Sequence, residues 1–278
     1  MKLKDRFWLW GQDAGSHHLA KGNERWKLPG VNLMEPAEGA EYLGVENMCR
    51  VVMRGKPTPP FDAESEKLRR MKNVVWSAIG DSGSRRNNQQ TDLEEVLRQA
   101  ALYPNISGAV LDDFFHGPEA GLPQRARASV EEIAEMRRKL HAFTKRALDF
   151  WIVWYKREMH YDIGDYLSLF DVVTYWNMMA PAELGELESD IRQVVERTPG
   201  KRRLAGFYIW NYGEGKPLSI AQAKAQCDAY YQWLQRGDIE GIIFCSNCCA
   251  DLGLEAVEWI RGWIREVGEE PVPNLISS

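Results

Sequence analysis

The chain has 278 residues, of which 44% are hydrophobic and 27% charged, an ordinary globular mixture able to bury a full core. Its net charge of −5 at pH 7 argues against nucleic acid or a membrane surface as partner, because both call for a basic face. No apolar run approaches the roughly 18 residues of a membrane span.

The start, MKLKDRFWLWGQ, has neither the apolar stretch nor the small-residue cleavage site of a secretory leader. It points to the cytoplasm, and a mature secreted form with its leader removed would read the same. Five cysteines, Cys49, Cys227, Cys245, Cys248 and Cys249, form an odd set whose last two are adjacent. That is unlike a disulfide scaffold and favours a reducing compartment. Cys245 and Cys248 have CxxC spacing, but the second pair of a structural zinc site is missing, so no metal and no other cofactor is expected.

Taken in chain order, short apolar runs alternate with amphipathic helical stretches. The first run, 6–12 (RFWLWGQ), leads through a polar loop to a helix near 36–43. The second, 48–53 (MCRVVM), precedes a helix over 63–71 with Asp62 placed to cap it. The third, 73–79 (NVVWSAI), is followed by a long polar loop and a helix over 92–102 capped by Thr91. The fourth, 106–115 (ISGAVLDDFF), precedes a helix over 130–145, where Ser129 and Glu132 form a capping box.

The fifth, 149–155 (DFWIVWY), is followed by a short helix over 163–170. The sixth, 171–176 (DVVTYW), leads to a helix after Pro181 that stops before Pro199-Gly200. The seventh, 204–210 (LAGFYIW), precedes a helix over 220–236 closed by Gly237; the eighth, 241–245 (GIIFC), precedes a helix over 254–267. Strands apolar almost throughout are buried on both faces and parallel. The count favours a single (β/α)8 TIM barrel, an α/β fold in one domain over 1–278. An open doubly wound sheet would want a Gly-rich phosphate turn after its first strand, and GQDAGSHH does not supply one.

In such a barrel, chemistry sits where the strands end. Asp112 and Asp113 follow SGAVL and end the fourth run. Because successive strand residues face opposite ways, one carboxyl should enter the mouth and the other should face the helix layer or an adjacent strand. The candidates for a second carboxylate are Glu158 and Asp81 first, then Glu214 and Asp13. Trp10, Trp154, Trp176 and Trp210 also fall at strand ends, with Tyr175, Tyr208 and Tyr212 beside them, in a chain holding 11 Trp and 10 Tyr. Aromatic faces suit the C–H faces of a sugar ring, while Gln12, Arg54, Asn177 and Asn211 could bind its hydroxyls; the same rings could equally fill the core.

The runs GAVLDDFF, YWN and GFYIWNYG resemble the TIM-barrel glycoside hydrolases and their uncharacterised bacterial relatives. The resemblance spans the whole chain as architecture and is carried by short motifs. It implies hydrolysis of a glycosidic bond by two carboxyl groups, one protonating the leaving oxygen and the other serving as base or nucleophile. Asn211 stands where many such enzymes carry an acid, and the fourth strand lacks an Asn-Glu pair. The standard retaining mechanism is therefore not carried over. The other readings are a carbohydrate-binding barrel without catalysis and a metal-dependent sugar isomerase or lyase using His17, His18 and His116 with Asp112 or Asp113. The adjacency of His17 and His18 splays their rings, so binding of a substrate hydroxyl suits either one better than metal ligation.

Overall fold

The computed structural model describes residues 1–24, 26–82, 84, 91–116, 125–179 and 184–273. Eight parallel strands close on themselves in chain order, with β8 paired to β1. They are β1 (Phe7–Gly11), β2 (Asn47–Arg50), β3 (Asn73–Ile79), β4 (Ile106–Leu111), β5 (Asp149–Tyr155), β6 (Val172–Trp176), β7 (Arg202–Tyr208) and β8 (Gly241–Cys245). Between and after them lie α1 (Ser16–Leu19), α2 (Pro36–Leu43), α3 (Asp62–Lys67), α4 (Leu93–Leu102), α5 (Val130–His141), α6 (Gly164–Leu167), α7 (Leu184–Arg197), α8 (Ile220–Arg236), α9 (Asn247–Ala250) and α10 (Glu255–Val267). The fold is a (β/α)8 TIM barrel, as the run pattern requires.

Period-two alternation sorts the apolar side chains into two layers. Trp151, Val153 and Tyr155 of β5 point into the barrel with Trp8, Trp10, Val110 and Trp176. Phe150, Ile152 and Trp154 of the same strand point out, into the layer shared with the helices. The interior is filled largely by indoles: Trp8 meets Trp151 at 4.9 Å and Trp10 meets Trp176 at 5.1 Å between ring centroids. Gly206 of β7 is what lets the Trp176 ring lie flat there, since a Cβ at that position would come within 2.0 Å of the indole.

Two expected caps differ from the structure. Asp62 is the first residue of α3 rather than its cap, and its carboxylate is taken by Arg98 of α4. Asp92, not Thr91, occupies the N-cap position of α4, although Thr91 Oγ1 accepts the Leu93 N–H at 3.4 Å. The Ser129–Glu132 box at α5 forms as expected, with Ser129 Oγ accepting the Glu132 N–H at 3.2 Å. Ser129→Ala is therefore expected to cost about 1 kcal/mol, read as a lowered urea midpoint with unchanged slope.

The fourth run extends less far than its apolar pattern. Asp112 N still donates to Ile79 O at 2.9 Å, but Asp113 turns into the left-handed region at φ 43° and ends the ladder.

Candidate active site

At the C-terminal mouth a cavity of about 450 Å³ opens, within the range of ligand sites. Its acidic wall comes from β3 and β4. Asp112 and Asp113 both line it, and Asp113 also reaches the turn after the adjacent strand β3. The left-handed backbone at Asp113 breaks strand alternation and swings its carboxyl to the same side. Asp112 is only 4% exposed. It accepts the Tyr155 hydroxyl at 3.1 Å and the Asp113 N–H at 2.8 Å. Burial pushes the Asp112 carboxyl well above the ordinary carboxylate range, and the Asp113 and Asp81 charges push it further. The group therefore favours its protonated form.

Asp113 sits in a different environment. It accepts the Ser82 N–H at 3.1 Å and faces the Arg157 guanidinium at 3.5 Å. Asp81 also lines the cavity, but its carboxylate holds local structure, accepting the Arg54 N–H at 2.9 Å and the Ser84 hydroxyl. Arg127 fixes both strand ends from behind, with Nη1 donating to Gly80 O at 2.6 Å and Asp112 O at 3.3 Å.

β5 supplies Tyr155, and the turn after it supplies Arg157 and Glu158. Arg157 stacks over the Tyr155 ring at 4.3 Å. Glu158 lies behind it, 2% exposed, accepting the Tyr155 N–H at 3.1 Å and 3.6 Å from the Arg157 guanidinium. Burial raises Glu158 to about 7. It is not among the residues lining the cavity.

The opposite wall is a relay. His17, carried on α1, is buried, and burial pulls its pKa down to about 3, so the ring is neutral. Its Nε2 meets Gln12 Oε1, which can only accept, so Nε2 carries the proton. Nδ1 then accepts from the Tyr212 hydroxyl at 2.6 Å, and Tyr212 Oη lies 3.0 Å from Cys249 Sγ. Gln12 is left with its amide nitrogen to offer the cavity it lines. The loop is clamped from α9, which follows β8: Asn247 accepts Gln12 N–H at 2.9 Å and donates to Gln12 O and Met34 O, both at 2.8 Å. Asp251 accepts the Leu33 and Met34 N–H groups at 2.8 and 2.9 Å.

The structure brings Asp81, Asp112, Asp113, Trp10, Gln12, His17, Arg54, Tyr208 and Tyr212 to one cavity. Trp176 lies beneath, packed on Trp10 and Tyr208. Other expected residues lie elsewhere. Trp154 faces outward under Arg197, 4.8 Å from its ring, and Tyr175 donates to Asp190 of α7. Trp210 is buried in the outer layer, its indole N–H on Trp26 O at 2.9 Å. Asn177 and Asn211 accept the N–H groups of Met179 and Glu214, each at 3.1 Å, and so hold turns. His18 binds Pro29 O at 3.1 Å, outside the lining, and His116 lies outside it too. Glu214 pairs with Lys216, and Asp13 with buried Arg50.

Sequence reasoning missed Arg157 and Trp26, both of which line the cavity. The signal for Arg157 was its position two residues past Tyr155. Trp26 was marked only by a long loop between β1 and α2. All five cysteines are free and buried, Cys245 at the cavity floor. Among the described residues no group of three or more His, Cys, Asp or Glu side chains is placed to hold a metal ion, and no helix is long and apolar enough to cross a membrane.

No protein-family model matches the chain, and no curated protein matches it significantly. Solved structures do. A glycoside hydrolase family 17 β-1,3-glucanosyltransferase from Rhizomucor miehei superposes with TM-score 0.51 at 10% identity, over 76% of this chain and 79% of that one. A family 18 chitinase from Crocus vernus gives 0.51 at 11% identity, over 94% and 98%. A β-galactosidase from the psychrophilic Marinomonas ef1 gives 0.54 at 10% identity, over 94% of this chain and 59% of that one. At such identities the likeness is one of fold: this chain has the barrel on which those glycoside-processing enzymes are built.

Proposed function

We propose that the protein hydrolyses a glycosidic bond of an oligo- or polysaccharide in this cavity. One observation carries the reading: two neighbouring carboxyl groups open into the same cavity in opposite environments, Asp112 buried and favouring its proton, Asp113 paired with a guanidinium. That is the division of labour glycoside cleavage needs. Asp112 gives its proton to the leaving oxygen. Asp113 stabilises the positive charge that develops at the anomeric carbon, and water replaces the departing sugar and returns the proton. The Tyr155 hydroxyl steadies Asp112 by donating to its other oxygen. Trp10 and Trp26 offer ring surfaces to sugar C–H faces, and Gln12 offers its amide to a hydroxyl.

The experiment is a screen of aryl glycosides and polysaccharides for release of aglycone or reducing ends. Any activity found is then measured in Asp112→Asn and Asp113→Asn. Glycan binding seen by calorimetry without turnover, and indifferent to both substitutions, rejects hydrolysis in favour of a binding barrel.

Glu158 predicts a pH dependence. Below about pH 7 its neutral carboxyl leaves Arg157 to Asp113; above it, the ionised group competes for the same guanidinium. Glu158→Gln is expected to remove an inflection near pH 7 from the kcat/KM profile while keeping the acid-side activity. An inflection unchanged in the variant assigns that titration to another group.

A further inference from the structure

Arg54 stands on a turn built to hold it. Met53 and Lys56 bond each other's backbones, Met53 N to Lys56 O at 2.8 Å and Lys56 N to Met53 O at 2.9 Å. Between them Arg54 adopts φ 53°, a left-handed conformation that costs an L-residue about 1–2 kcal/mol. Asp81 accepts its N–H, and Ser84 Oγ accepts the Gly55 N–H at 3.1 Å, so the turn is pinned to the end of β3. The side chain reaches the cavity, where its guanidinium donates to Leu19 O. No carboxylate among the described residues pairs with it.

Among the described residues, the acids that line the mouth lie near other guanidinium groups. Asp113 has Arg157 at 3.5 Å, while Asp81 and both strand-four acids act on Arg127. Asp112 favours its neutral form. Arg54 thus lines the cavity with no carboxylate partner among the described residues, beside a wall of hydrogen-bonding and aromatic groups suited to a sugar.

From this geometry we propose that Arg54 selects a substrate sugar bearing a carboxylate, a hexuronate unit, which its planar fork can engage through two parallel hydrogen bonds. The sugar part rests on the glycosidase reading; the anion preference rests on Arg54.

The test is NMR titration of the full chain, as wild type, Arg54→Gln and Arg54→Lys, with four probes: D-glucuronate, D-galacturonate, D-glucose and D-galactose. Wild type is expected to bind the hexuronates about 10- to 100-fold more tightly than the parent sugars, the size of a charged hydrogen-bond pair. Arg54→Gln should lose that preference, so that its hexuronate and parent-sugar affinities converge, and Arg54→Lys should keep part of it. Equal binding of acidic and neutral sugars by wild type, no binding of either hexuronate, or a preference that survives in Arg54→Gln overturns the proposal. Hydrolysis is judged separately, by glycan turnover and its loss in Asp112→Asn. Hexuronate preference without turnover keeps this inference and rejects hydrolysis; turnover with no such preference does the reverse.

Discussion

Asp112→Asn is expected to lower kcat by about 10²- to 10⁴-fold, the range for removing a positioned general acid, while leaving the fold intact. Asn keeps an oxygen for the Tyr155 hydroxyl and the Asp113 N–H, and its NH2 takes the place of the protonated oxygen. The same substitution should change stability in a set direction. A carboxyl raised in the folded state binds its proton more tightly there than in the unfolded chain. Its contribution is fully present below the unfolded value of about 4 and is lost as pH rises through the folded value. Glu158 acts likewise, with its loss falling between about pH 4 and its folded value of about 7. Wild type should therefore lose stability as pH climbs from about 4 to neutrality, and Asp112→Asn should lose less. Thermal unfolding across pH 4 to 8 reads the difference; a variant less stable than wild type at pH 7 would contradict a neutral, buried Asp112.

The largest expected effect on folding is at Gly206. An alanine methyl there would meet the Trp176 ring at 2.0 Å. The ring cannot easily yield, because its N–H donates to Thr174 Oγ1 at 2.8 Å and it meets Trp10 edge-on and Tyr208 at a tilt, each at 5.1 Å between ring centroids. Gly206→Ala should cost about 1–3 kcal/mol or more as overpacking, at about 2–4 °C in Tm per kcal/mol for a chain of this size. Gly262 in α10 is the control, since a Cβ there meets nothing within 4 Å. Gly262→Ala should stabilise by about 0.5–1 kcal/mol through helix propensity. A Gly206→Ala protein as stable as wild type would mean that the indole is not confined as described. Displacing it would also disturb Trp10 and Tyr208, so activity should fall with stability.

The barrel was legible because buried parallel strands leave an unbroken apolar signature, and the ends of β3, β5 and β8 match their runs to the residue. The site was legible in part. Trp154 and Tyr175 were grouped with Trp10 by nearness to a strand end, yet alternation alone opposes Trp154 to Tyr155 and Tyr175 to Trp176. The placement of Asp113 was not readable, since it turns on one positive φ that no residue type announces. Nor could spacing show that Asn177 and Asn211 serve their own turns, because local side-chain-to-backbone bonds compete with ligand binding for the same polar atoms.

The indole-filled cylinder governs traffic. With Trp8 and Trp151 stoppering its far end and Trp176 beneath Trp10 nearer the mouth, nothing can travel along the axis. Among the described residues, the cavity at the mouth is therefore a well closed at its base. Any ligand of that well has to leave past the same rim segments that admitted it, so those segments govern departure as much as arrival.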